Sequence, residues 1–171
     1  LAYGGVSAEV LGALGANWLA DYATETAQLI AQTPAGEHKL RIRRIPKTAQ
    51  SRELWAIEIL NDDMPFLVDS VLGELQARGI AVALLLHPTF TTRRDAAGRL
   101  QDVAAPGKWG DGHQEIFIAV HVEHLSDTAR EGLAEGLAAV LGDVRVVVAD
   151  WLAMLDRLGD AVGAEERDPA R

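Results

Sequence analysis

The chain contains no cysteine. Disulfides, thiolate zinc sites and thiol nucleophiles are thereby excluded together, and the composition suits a reducing cytoplasm. Long hydrophobic runs are missing too. The longest, residues 80–86, has the length of a strand and falls well short of the roughly 20 apolar residues a membrane-spanning helix needs. Positive charge is scarce: 16 Lys and Arg stand against 25 Asp and Glu, a formal net charge of −9. Binding to phosphate backbones is driven by Lys and Arg, so nucleic acid is not an expected partner, and neither is a membrane. Two site motifs are absent as well. Gly110-Asp111-Gly112 leads into a strand and not into a helix, so no G-x-G-x-x-G dinucleotide fingerprint is present, and Ser70 lies in no G-x-S-x-G elbow. Residue 1 is Leu, with no basic-then-apolar leader behind it, which leads us to expect a piece of a longer polypeptide.

What is present is a chain of 171 residues, 49% hydrophobic and 24% charged, enough for one domain with a sizeable core. Residues 6–32 read as a helix, with Val10, Leu14, Trp18, Tyr22 and Leu29 on one stripe. Residues 39–45 and 53–60 alternate as strands joined by a hairpin-length loop. Leu40 and Ile42 fall on one side of the first strand; Lys39, Arg41 and Arg43 fall on the other, read as a solvated face. A helix follows Pro65, with Leu67, Val68, Val71, Leu72 and Leu75 on its apolar face and Gly79 as its stop. Residues 80–92 read as one long central strand, 94–99 as a turn and 101–112 as a loop. Residues 114–122 alternate, placing Ile116, Ile118, Val120 and Val122 opposite Phe117, Ala119 and His121. Ser126 caps a helix to about Leu141; Gly142-Asp143 interrupts; 144–148 is read as a short strand before a further helix. Trp151 in that helix is expected in the core or an interface, in helical spacing with Met154 and Leu155.

This order predicts an α+β fold of the ferredoxin-like, βαββαβ type: an antiparallel sheet with helices packed on one face, plus an N-terminal helix. ACT domains, small modules that often bind amino acids, share that plan. The expected organisation is a helical segment at 1–37, an ACT-like domain at 38–162 and a polar, disordered tail at 163–171.

Three groups of residues could carry chemistry. Asp62, Asp63 and Asp69 surround a helix start, where carboxylates are favoured by the dipole, and helix capping outweighs acid–base catalysis as their role. His113, Glu115, His121 and Glu123 share one strand parity, but the two histidines would be about 27 Å apart, too far for one metal. His121, Glu123 and His124 are closer together, but His124 lies at the strand's exit, and His87 has an ordinary role before Pro88 at a strand bend. A metal-assisted hydrolase built on these residues, and a purely structural spacer, stand as the alternatives to a regulatory module.

The stretch Asn61-Asp62-Asp63-Met64-Pro65-Phe66-Leu67-Val68-Asp69-Ser70 resembles the signature near the N-terminus of the large bacterial NAD-specific glutamate dehydrogenases. Similar features follow in order: His87-Pro88; Arg93-Arg94-Asp95 with Gly98; Asp143-Val144-Arg145; and Asp150-Trp151 with Met154. Gln114-Glu115-Ile116 departs from the Glu-Ser of the family, and residues 99–112 have no counterpart. The resemblance covers about residues 38–158 and touches no catalytic domain. It implies a non-catalytic regulatory or assembly module with no cofactor of its own, in a cytoplasmic parent that uses NAD to convert glutamate to 2-oxoglutarate and ammonia. The implied partners are other domains of the same polypeptide, further copies of the parent in a homo-oligomer, and an amino-acid effector. In ACT modules such effectors commonly sit where the first strand turns into the first helix; here that is Asn61, Asp62, Asp63 and Met64. Two aspartates there favour a neutral or basic amino acid.

Overall fold

A computed structural model of the chain describes residues 16–32, 38–45 and 54–165. Its elements are α1 (Ala16–Gln32), β1 (Lys39–Ile45), β2 (Leu54–Asp62), α2 (Leu67–Ala77), β3 (Val82–Leu86), β4 (Thr89–Arg94), β5 (Leu100–Ala104), β6 (His113–Val122) and α3 (Asp127–Glu165). The first half of the expected N-terminal helix, the 46–51 connection and the tail from 166 lie outside the described residues.

The strands form one six-stranded antiparallel sheet, with β6 at its centre. β2 pairs with one edge of β6, and β3 and β4 share the other edge. The long strand expected over 80–92 is thus cut in two at His87-Pro88. The cut is local. Leu86 faces Ala119 and Thr89 faces Ile116, so one register runs through both halves. Proline has no N–H for the ladder, but its carbonyl still accepts from the Phe117 N–H at 3.0 Å.

Alternation sorts side chains between the two faces. On one, Trp55, Ile57 and Ile59 of β2 and Ile116, Ile118, Val120 and Val122 of β6 meet α2 and α3. On the other, Leu60, Phe117 and Ala119 meet Leu29 of α1. The alternation expected along β6 is the one observed. α2 and α3 therefore share a face, and the N-terminal helix covers the opposite one. Gly79, with φ of 68°, ends α2, and the Ile80 N–H returns to the Leu75 carbonyl. Where α2 crosses α3, the ends of the ion-paired Glu74 and Arg78 side chains lie over Gly136, in space that a Cβ there would make them leave.

Two expectations are corrected. Residues 144–148 are not a strand: α3 runs unbroken through Gly142 for 39 residues. A glycine inside a helix costs about 1 kcal/mol, and burial of Leu133, Leu137, Leu141, Val144 and Val148 along one seam outweighs that. The sheet position a last ferredoxin-like strand would take beside β2 is filled by β1, from the N-terminal side. Residues 101–104, part of the stretch read as loop, belong to β5. Asp95 accepts from the Ala97 and Arg99 N–H groups and Gly98 has φ of 78°, so the turn folds β5 back on β4.

Candidate functional site

β2 delivers Asn61 and Asp62 to the end of the sheet, where the chain turns into α2. Asn61 is 1% exposed. Its Oδ1 accepts from the backbone N–H of Asp62 at 2.9 Å and from Arg145 Nη2 of α3 at 2.8 Å. Arg145 also lies 3.3 Å from Asp62 Oδ2, and His113 Nε2 of β6 lies 2.5 Å from Asp62 Oδ1. The Asp63 N–H donates to the Gln114 carbonyl at 3.0 Å. Three elements therefore converge on this turn. Asn61 Nδ2 is buried with no hydrogen-bond partner among the described residues.

This geometry changes the inventory that the sequence suggests. The N–H groups of Asp62 and Asp63 are engaged, and the Asp62 carboxylate is paired with Arg145 and within hydrogen-bond distance of His113. Asp63 and Asp69 are exposed, and Met64 packs against the core beneath α2 and α3. Phe66, the residue before α2, adopts the left-handed conformation at φ of 68° and caps nothing with its side chain. A bulky residue there carries backbone strain of roughly 1–2 kcal/mol. The ring is set against Trp151 of α3, edge to face, with centroids 6.1 Å apart. Arg145 was missed as a site residue. Its signal, Asp143-Val144-Arg145, is visible in the sequence, but a strand at 144–148 would have carried it elsewhere.

The histidines do not assemble. His113 is at the open end of β6, whereas His121 is 1% exposed beneath α1. Among the described residues, no group of three or more His, Asp or Glu is placed to hold a metal ion. His121 sits edge-on to Tyr22, with its Nε2 3.4 Å from the phenol oxygen. Burial pushes its pKa down to about 4, the nearby Glu58 carboxylate opposing and Arg43 adding to the shift. Glu58 is itself fully buried and accepts from Arg41 at 2.6 Å and from Arg43 at 3.1 Å. The basic run on β1 is therefore only partly a solvated face. Two of its arginines neutralise a carboxylate on the neighbouring strand, and Arg43 also stacks over Tyr22.

Trp151 is not in the core. It is 37% exposed, and Val147, Met154, Leu155 and Leu158 around it are exposed as well. Trp151→Ala is accordingly expected to cost this chain about 1 kcal/mol, the worth of an aromatic pair, and not the 3 kcal/mol or more of a core tryptophan. Urea denaturation of the variant measures the difference.

No helix among the described residues is long and apolar enough to cross a membrane. Residues 1–137 match the family model described as glutamate dehydrogenase, ACT1 domain. The chain is 37% identical over 98 residues to the NAD-specific glutamate dehydrogenase of Pseudomonas aeruginosa, covering 56% of this chain and 6% of that protein. It is 39% identical over 97 residues to the enzyme of the same name from Halomonas elongata, with 56% and 6% covered. Against that of Mycobacterium tuberculosis it is 27% identical over 174 residues, spanning 94% of this chain and 10% of the relative. No solved structure matches. The chain thus corresponds in length to a small part of these relatives, and it belongs to the family of glutamate dehydrogenase ACT1 domains.

Proposed function

We propose that this chain is a non-catalytic regulatory or assembly module of a large, cytoplasmic, homo-oligomeric NAD-dependent glutamate dehydrogenase. The parent would convert L-glutamate, NAD and water to 2-oxoglutarate, ammonia and NADH. The module proper is residues 38–162, with 1–37 as an N-terminal helical segment and 163–171 as a polar tail. NAD belongs elsewhere in the parent. The β2–α2 turn contains no glycine and carries Asp62 and Asp63 where a pyrophosphate would need bare backbone, so it does not fit the cofactor.

The observation that carries this proposal is the convergence of β2, β6 and α3 on Asn61 and Asp62. A turn that merely caps α2 has no need of an arginine from one element and a histidine from another. The effector site would comprise Asn61, Asp62, Asp63 and Met64. The exposed Asp63 carboxylate would meet an ammonium group, the buried Asn61 would hold Asp62 and Arg145 in place, and Met64 would shape the turn from below. A neutral or basic amino acid is the fitting guest. The assembly role is supported by the exposed apolar stripe from Val147 to Leu158 with Phe66, a surface suited to other domains of the same polypeptide.

Calorimetric titration with the common amino acids tests the effector site. Saturable binding at millimolar concentration or below is expected, weakened by Asp63→Ala and by Asp62→Ala. No binding to the native chain, or binding that survives both substitutions unchanged, would show that the turn is structural.

A further inference from the structure

On the other face of the sheet, between α1 and the strands, the structure holds a cavity of about 210 Å³. Ala23, Thr26, Ala27 and Ile30 line it from the helix, and Phe90 and Phe117 from the strands. Its origin lies in the sequence of α1. Tyr22, Thr26 and Leu29 are buried toward the sheet, and beside them Ala23 and Ala27 offer methyl groups that cannot fill the gap. Among the described residues, no charged side chain lines the cavity. Arg94, which comes near through the Ile30 carbonyl, is committed to Glu115 in a two-pronged pair.

Among the described lining residues, Thr26 is the one with a polar side-chain atom. Thr26 is 3% exposed, and its Oγ1 has no hydrogen-bond partner among the described residues. A threonine inside a helix commonly returns its hydroxyl to the carbonyl four residues back, as Thr24 does to Ala20 at 2.9 Å. Thr26 does not. A buried hydroxyl without a partner is disfavoured, and beside a cavity the missing partner is one that a guest can supply.

We propose that this cavity binds a small, uncharged, largely apolar molecule whose single hydrogen-bonding group meets Thr26 Oγ1. A zwitterionic amino acid is excluded, because both of its charges would lose water without gaining a counter-charge. The size suits one ring: an apolar cavity of about 150 Å³ accepts benzene. The site is distinct from the β2–α2 turn in position and in ligand chemistry. A guest would fill the gap under α1, so its occupancy would be linked to the seating of that helix.

Phenol and toluene, alike in shape and differing by one hydroxyl, are the probes, titrated into the chain by calorimetry with protein-observed NMR. Phenol is expected to bind saturably at millimolar concentration or below. Thr26→Val should weaken phenol about fivefold, the worth of one neutral hydrogen bond, and leave toluene unchanged. Ala27→Leu, which sends a larger side chain into the cavity, should abolish both; Ala23→Val serves if that variant does not fold. The proposal is overturned by absence of saturable phenol binding or by phenol binding undiminished in the filled variants. Equal affinity of phenol for the native chain and Thr26→Val would overturn it too, leaving a packing void only. So would a Thr26→Val melting point below the native one, since the hydroxyl would then already have a partner.

Discussion

Arg94→Ala should be the most damaging single substitution considered, costing about 3–5 kcal/mol of stability and lowering Tm by something on the order of 10 °C. The side chains of Arg94 and Glu115 are each 4% exposed. Arg94 Nε and Nη2 donate to the two oxygens of Glu115, both at 2.9 Å. The same guanidinium donates to the Gly98 carbonyl at 3.2 Å and to the Ile30 carbonyl, near the end of α1, at 3.0 Å. One residue thus ties β4 to β6, to its own turn and to the N-terminal helix. Alanine would leave Glu115 buried without its counter-charge and two carbonyls without their donor. Lysine should not rescue, because a single ammonium cannot reproduce the planar fork. Replacing both partners, as Arg94→Met with Glu115→Leu, should recover most of the loss, since the cost lies in an uncompensated charge and not in the absence of a pair. Urea denaturation of the three variants measures this. A double variant no more stable than Arg94→Ala would show that the pair matters for shape and not for charge.

The second large effect is on pH dependence. His121 has a folded-state pKa of about 4 against an ordinary value of 6.5, chiefly because burial disfavours its charged form. Between these values the unfolded chain binds a proton that the folded chain refuses. Stability from this group is therefore fully present above pH 6.5 and declines as the pH falls toward 4. The loss amounts to about 2 kcal/mol between pH 7 and pH 5. His121→Gln should remove that slope while carboxylates elsewhere continue to titrate. The readout is the difference in unfolding free energy between native chain and variant at the two pH values. Parallel pH profiles would mean that His121 is solvated or already charged in the folded state.

The sequence alone determined a good deal. Period-two alternation in β2 and β6 specified which residues face which layer, because a one-residue slip would expose the whole apolar set. The helix after Pro65 and its glycine stop were legible for local reasons: fixed φ at one end and a left-handed residue at the other. Family membership was legible in Asn61–Ser70 and the motifs after it. Composition excluded thiol chemistry without any coordinates.

Only the tertiary structure decided the rest. Gly142-Asp143 reads locally as a break, yet the helix continues, because Val144 and Val148 extend a seam buried against the sheet and that burial exceeds the local cost. With the helix intact, Arg145 reaches Asn61 and Asp62 from 84 residues away along the chain, a contact no spacing rule could reveal. Arg94, in sequence a turn residue, becomes a buried clamp because β6 carries Glu115 beside it. Trp151, whose neighbours have core-like spacing, stays exposed because α3 is roughly 58 Å long at 1.5 Å per residue and outruns the sheet it packs on. Local pattern specifies which face of an element is apolar. Whether something covers that face, and which distant charge answers a buried one, is settled by where the other elements end.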